Sequence, residues 1–317
     1  MLRYRVASML WMFMLLAAAY REGLHSVSLD YAWSTVALAS TYVAATALND
    51  VADRDIDRIN HPRDSGRPLV TGDATEAELL TLHRRAAALA LLAAVPLGLA
   101  GLAVVAISLA IARAYSVPPL TLSHRTLFAP LALAIAYVLV PYAHGLIGAG
   151  APPSQQDVPF AGALLALFLS RIVLKDFRDR DGDALYGKST LLLRAGKTTT
   201  CAVSLSALVV GDVALLATLR PSGGAIFLLQ LLVAGAAWMI VRLWLVADRR
   251  EEQVAIGTGA RAGNGLLVST LAWLLLDARG APAEHELVVL GAIAFAFALG
   301  FVVLAARPHE AVIGYKG

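Results

Sequence analysis

Ten apolar stretches run through this chain, near residues 6–21, 30–52, 76–97, 99–114, 126–148, 158–177, 199–219, 224–246, 262–277 and 286–306. Most reach the roughly 17–25 residues that carry a helix across a bilayer, with 99–114 and 262–277 on the short side. A soluble domain has no use for so many. The hydrophobic share of 58% and charged share of 15% depart from the soluble average in the same direction, as does the mean hydropathy of +0.69. The chain reads as an all-α, multi-pass transmembrane bundle of nine or ten helices.

The loops between these stretches set an orientation. With the N-terminus in the cytoplasm and ten crossings, the cytoplasmic side receives Arg3, Arg5, Arg54, Arg58, Arg63, Arg67, Arg113, Arg125, Arg178, Arg180, Lys188, Arg194, Lys197, Arg249, Arg250, Arg261, Arg307 and Lys316, while the far side receives Arg21, Arg220 and Arg279. That imbalance follows the positive-inside rule. The net charge of +3 therefore reports topology. No basic, aromatic-interleaved surface segment points to nucleic acid. The lone Cys201 excludes an internal disulfide or a cysteine metal cluster, and the first apolar run continues into further spans, so it reads as a retained helix rather than a cleaved signal. Arginine far outnumbers lysine, a bias of GC-rich genomes, which suggests a bacterial cytoplasmic membrane.

Against this background the chain writes one acidic phrase twice. "DVADRDID" begins at Asp50 and "DFRDRDGD" at Asp176, 126 positions later. Each follows an apolar run, so each sits where a helix reaches the cytoplasm. At about 100° per residue, Asp50, Asp53 and Asp57 fall within about 60° of one another on a helix, as do Asp176, Asp179 and Asp183, while Asp55 and Asp181 point elsewhere. Asn49 and Lys175 take equivalent places at the edges of the two faces. Three carboxylates on one face repel, and a helix C-terminus adds partial negative charge, so a cation must compensate. Hard oxygen donors without His or Cys select Mg²⁺ or a similar ion, which binds through one or two carboxylates and substrate phosphates. Two such clusters facing each other make a clamp for a diphosphate. A solvated acidic connector explains one copy of the phrase far better than it explains two.

The residues now resemble a known family. "NDVADRDID", through Asn49, Asp50, Asp53 and Asp57, is similar to the first signature of the UbiA-type intramembrane prenyltransferases, and "DFRDRDGD", through Asp176, Asp179 and Asp183, to the second. "RPLVTG" from Arg67, "YSVPPLTL" from Tyr115 and "GDALYGKSTLLLRAG" from Gly182 resemble further family segments. The resemblance implies one domain over 1–317, with pseudo-repeats about 1–125 and 126–250 plus C-terminal helices. It also implies nine helices around a central cavity under cytoplasmic caps, and a polyprenyl diphosphate held by Mg²⁺ between the two aspartate motifs. The implied reaction is transfer of the prenyl group to an aromatic or lipid-like acceptor that the sequence does not identify. Arg67 and Lys188, with Arg125 behind them, are the candidates for diphosphate contacts, although each also reads as an ordinary positive-inside charge. Tyr115 is placed to stabilise cationic charge with its ring, at a helix end where aromatic side chains also serve as interfacial anchors.

Two other readings remain open. A cyclase of the same family uses the same clusters without an acceptor. A transporter also carries intramembrane acids, but near the bilayer midplane in broken helices. Tyr137, Tyr142 and His144 are further pocket candidates, and Arg171 and Arg242, inside apolar runs, are placed to pair with an acid or a phosphate. "GTGARAGNG" from Gly257 reads as a flexible loop. The first helix lacks the basic-proline pair of many aromatic prenyltransferases, and its stretch Met9–Ala19 is uncharged. This predicts a neutral or lipid-like acceptor, or an acidic one held at the rim by Arg3 or Arg5, since an unpaired carboxylate buried there costs several kcal/mol.

Overall fold

Backbone N–H and C=O groups among apolar side chains have only each other to bond, and every one of the ten apolar runs is helical. The computed structural model describes residues 4–306 except 26, 27, 63 and 65. Arg3, Arg63, Arg307, Lys316 and the side chain of Arg5 lie outside that description. The helices are α1 (Tyr4–Glu22), α2 (Leu29–Ala52), α3 (Arg54–Asn60), α4 (Pro68–Thr71), α5 (Glu76–Ala94), α6 (Gly98–Ser116), α7 (Phe128–Ala134), α8 (Val140–Gly148), α9 (Asp157–Ile172), α10 (Asp176–Leu185), α11 (Leu191–Leu219), α12 (Gly223–Leu245), α13 (Arg249–Asp277) and α14 (Ala283–Ala306). Among the described residues no strand occurs, and six segments are long and apolar enough to cross a membrane.

The breaks between helices have local causes. Pro96 sits in a 3₁₀ turn, Val95–Leu97, that reverses the chain between α5 and α6. Pro141 offers no N–H to the carbonyl four residues back, and the backbone before it widens into a π turn over Ile135–Leu139, the kind of irregularity that collects at functional sites. Helix α2 ends at Asp53, and α9 passes through a 3₁₀ turn, Val173–Lys175, before α10. The first acidic phrase therefore crosses a helix junction, and the second begins at one.

Helix α2 packs on α5 and α6, α9 on α11, α12 on α13 and α14, and α1 on α8 and α13. Phe13, Leu16, Phe160, Leu164, Leu215, Leu229 and Leu243 are fully buried between them, while Leu99, Phe227, Trp238 and Phe295 stand on the outer surface, as lipid-facing side chains should. The expected loop at Gly257–Gly265 is instead the middle of α13. Its small residues serve packing: a Cβ on Gly265 would lie 2.9 Å from Phe297 and 3.0 Å from Leu232, so the glycine lets α12 and α14 close on α13.

Candidate active site

Local sequence delivers the acids. Asp53 caps α2 with its N–H on the Asn49 carbonyl, and the Asp57 N–H returns to the Asp53 carbonyl, so the i, i+4 spacing survives the junction between α2 and α3. Asp50, Asp53 and Asp57 are buried. On α10, Asp179 and Asp183 are buried as well. Asp176 is half-buried, near the Leu192 N–H and the charges of Lys175, Asp179 and Asp183. Asp55 and Asp181 turn outward, pairing with Arg54 and Arg58 and with Arg249 at side-chain exposures of 44% and 60%. The Arg54 guanidinium holds the Asp55 carboxyl below its ordinary range. The expected division between inward and outward aspartates is what the geometry has.

Helices α3 and α10 meet edge to edge. His61 Nε2 contacts Asp179 Oδ1 at 2.9 Å, and the Gly182 N–H donates to Asn60 Oδ1 at 2.7 Å. A Cβ on Gly182 would lie 2.7 Å from the Asn60 amide nitrogen, so glycine is what permits this approach without interrupting α10. Cations knit the acids together. Arg67, the residue before Pro68 at the start of α4, donates to Asp50 at 3.2 Å and to Asp57. Lys188 Nζ donates to Asp53 at 3.1 Å and pairs with Asp183 at 3.6 Å, and Lys175 pairs with Asp179 at 3.4 Å. Asn49 Nδ2 donates to Asp53 at 2.9 Å. The turn that follows the Tyr115 segment touches the Gly182 segment, the Ser189 N–H donating to the His124 carbonyl at 3.2 Å. Burial and then the Lys188 ammonium push His124 below the usual histidine range.

The cluster closes one end of a cavity of about 760 Å³. Asn49, Arg67, Tyr115 and Asp179 line it, with His61, Lys175 and Arg178. Asp50 and Asp57 stand one contact behind through Arg67, and Asp53 through Asn49, while Lys188 joins Asp53 to Asp183 in the layer beyond. Leu10, Leu38, Leu133, Phe168 and Ile256 make the remainder largely apolar. Arg125 does not join the group: its guanidinium is exposed and donates to the Leu120 carbonyl. Tyr137 lines the cavity, while Tyr142 donates to Asp157 at 3.0 Å and His144 is fully enclosed among core side chains. Arg242 pairs with Glu251.

Sequence reasoning passed over His61 and Asn60, although His61 continues the i, i+4 series 53, 57, 61. It also passed over buried Glu252, which accepts from Lys197 at 2.7 Å and Arg180 at 3.0 Å and ties α10 to α11 and α13. The first helix is uncharged where it meets the cavity, but the facing wall is not: Arg171 lines the cavity, donates to Asn264 Oδ1 at 2.6 Å and touches Met9 Sδ at 3.6 Å. An acidic acceptor would not be without a partner there.

Among the described residues no three His, Cys, Asp or Glu side chains form a ready metal cage. The donor chemistry nevertheless fits a divalent cation. Six aspartates (50, 53, 57, 176, 179, 183) face four side-chain cations (Arg67, Lys175, Arg178, Lys188), leaving two negative charges in excess. Oxygen donors alone suit Mg²⁺.

A sequence model of the UbiA prenyltransferase family matches residues 9–261. The chain is 34% identical over 172 residues to a homogentisate phytyltransferase of Synechocystis, covering 52% of this chain and 54% of the relative, so that it spans about half the length of that protein. It is 30% identical over 217 residues to a 4-hydroxybenzoate octaprenyltransferase of Polaromonas naphthalenivorans, covering 66% and 70%. The fold resembles a digeranylgeranylglyceryl phosphate synthase with a TM-score of 0.64, 15% identity and coverage of 86% and 93%. It also resembles a UbiA homologue of Archaeoglobus fulgidus bound to DMAPP and Mg²⁺, with a TM-score of 0.57, 17% identity and coverage of 95% and 97%.

Proposed function

The chain belongs to the UbiA prenyltransferase family, and on that premise we propose that it transfers a prenyl group from a prenyl diphosphate to an aromatic or lipid-like acceptor inside the membrane. The carrying observation is the union of the two aspartate helices at the polar end of a long, mostly apolar cavity. One end suits a charged head and the remainder suits an isoprenoid tail, which is the outline of an amphiphilic diphosphate. The named neighbours agree with this reading: two are prenyltransferases acting on aromatic acids, and one homologue was captured with DMAPP and Mg²⁺.

Asp50, Asp53 and Asp57 on one side, and Asp176, Asp179 and Asp183 on the other, would hold Mg²⁺. Bound there, the ion neutralises the charge that develops on the leaving diphosphate. The protein's own groups do the rest. Arg67 and Lys188 each bridge acids and are placed to share their N–H donors with phosphate oxygens. Tyr115 and Tyr137 present aromatic rings beside the reacting carbon, where their faces favour cationic charge. The apolar walls exclude water, so that the allylic cation meets the acceptor rather than a hydroxide. The new bond forms at the acceptor, which gives up one proton, as diphosphate departs. His61 and Lys175 fix Asp179 in the meantime.

A family cyclase acting without acceptor needs walls free of charge around its cation. The guanidinium of Arg171 inside this cavity favours transfer. The test is mass spectrometry of products from the protein in bilayer discs with Mg²⁺, prenyl diphosphates of several lengths and a set of hydroxylated aromatic and lipid acceptors. Prenylated acceptor formed with Mg²⁺ and lost in chelator is the expected result. Full turnover in chelator, or a cyclic hydrocarbon or alcohol made without acceptor, overturns the proposal.

A further inference from the structure

Arg171 is the one cavity-lining cation that the diphosphate clamp leaves unused among the described residues. It stands on α9 four residues before Lys175, about 6 Å of helix rise deeper into the bundle. Its hydrogen-bond partners, Asn264 and Met9, are both neutral, and no carboxylate of the described residues pairs with it. A guanidinium carries five N–H donors, and these two contacts occupy only its Nη1 group. Uncompensated charge at membrane depth is expensive and usually marks function. The surrounding side chains are those that would take a planar ring. Phe168 lies one turn before Arg171 and makes an edge contact with Tyr137 at 5.9 Å between centroids, and both line the cavity. Tyr115 and Lys175 lie toward the acid layer.

We propose that Arg171 sets acceptor specificity by binding the carboxylate of an aromatic acid, whose ring lies against Phe168 and Tyr137 with its reactive edge toward Tyr115. The separation between Arg171 and Lys175 is about the length of one aromatic ring, so the acid group and the reacting carbon sit at opposite ends of the acceptor. Asn264 orients the guanidinium through Nη1 and leaves the remaining donors to the ligand. The proposal rests on the prenyl-transfer reading for the acceptor's fate, but the binding step it asserts is measurable without turnover.

The experiment uses the full chain in bilayer discs and two acid–neutral pairs: 4-hydroxybenzoate with 4-hydroxybenzyl alcohol, and 1,4-dihydroxy-2-naphthoate with 1,4-dihydroxynaphthalene. Titration calorimetry gives each Kd in wild type, Arg171→Gln and Arg171→Lys, with the Kd of geranylgeranyl diphosphate and Mg²⁺ measured alongside. In at least one pair the wild type binds the acid about tenfold or more tighter than its neutral partner. Arg171→Gln abolishes that preference, Arg171→Lys keeps part of it, and the prenyl diphosphate Kd does not move. Equal binding of acid and neutral ligand by wild type in both pairs overturns the proposal. So does a preference that survives Arg171→Gln, or a weakened prenyl diphosphate Kd with acid binding intact, which would assign Arg171 to the diphosphate. If Arg171→Gln does not fold, Arg171→Lys decides, and complete loss of preference there in a protein that still binds prenyl diphosphate counts against it. Absence of prenyl transfer by wild type to any acceptor would sink the transferase reading while these Kd values still judge Arg171.

Discussion

Replacing Asp57 with asparagine separates the inward from the outward aspartates most cleanly. Asp57, Asp50 and Arg67 are buried together, with Arg67 bonded to both acids. The substitution keeps the side-chain volume and one oxygen acceptor, and it lowers the excess negative charge of the cluster from two to one. A unit charge about 4 Å from a cation contributes about 4 kcal/mol at an effective dielectric of 20. If about 2.7 kcal/mol of that survives compensation by water and by Arg67, the rate falls about 100-fold. Asp55, two residues earlier, carries the same charge at 44% side-chain exposure and pairs only with exposed arginines, so Asp55→Asn should stay within about threefold of wild type. The assay is initial-rate kinetics in bilayer discs with prenyl diphosphate saturating and Mg²⁺ titrated. Asp57→Asn should also need more Mg²⁺ for half-maximal rate. Equal inactivation by Asp55→Asn and Asp57→Asn would refute the division by face on which the site is built.

Lys188→Met should raise the KM for prenyl diphosphate about tenfold or more by removing a charged donor, while Arg125→Ala stays within about threefold because that guanidinium bonds its own loop. Gly182→Ala pushes a methyl into Asn60. The variant should lose about 1–3 kcal/mol in a thermal unfolding assay and, by parting α3 from α10, lower kcat about tenfold or more. Glu252→Gln leaves Arg180 and Lys197 facing an amide, and thermal unfolding should register a loss of about 3 kcal/mol.

The helices and the double aspartate pattern were legible because both are written in local periodicity. Apolar runs of spanning length have one way to satisfy their backbone in lipid, and the i, i+3, i+7 spacing of Asp50, Asp53 and Asp57 places them together even across a helix junction. What escaped was whatever depends on a partner far along the chain. Nothing local marks Asn60 as the acceptor for Gly182, 122 residues away, or Glu252 as the anchor of Arg180. The glycines of 257–265 looked like a loop because glycine's packing role is visible only once Phe297 and Leu232 are beside it. Arg171 stood out as a charge in an apolar run, but its place opposite Met9 required the bundle. Arg125 failed for the opposite reason, since closeness in sequence to "YSVPPLTL" did not bring its side chain to the acids.

The central claim, that the two aspartate helices form one Mg²⁺-dependent site for prenyl transfer, is most directly tested by counting both products of a single turnover. With ³²P- and ¹⁴C-labelled prenyl diphosphate, Mg²⁺ and acceptor, diphosphate release and prenylated acceptor should appear in equal amounts and at equal rates. Both should vanish in chelator and in Asp53→Asn or Asp179→Asn. Diphosphate released without matching prenylated acceptor, or release that persists when either aspartate helix is disarmed, would contradict the account.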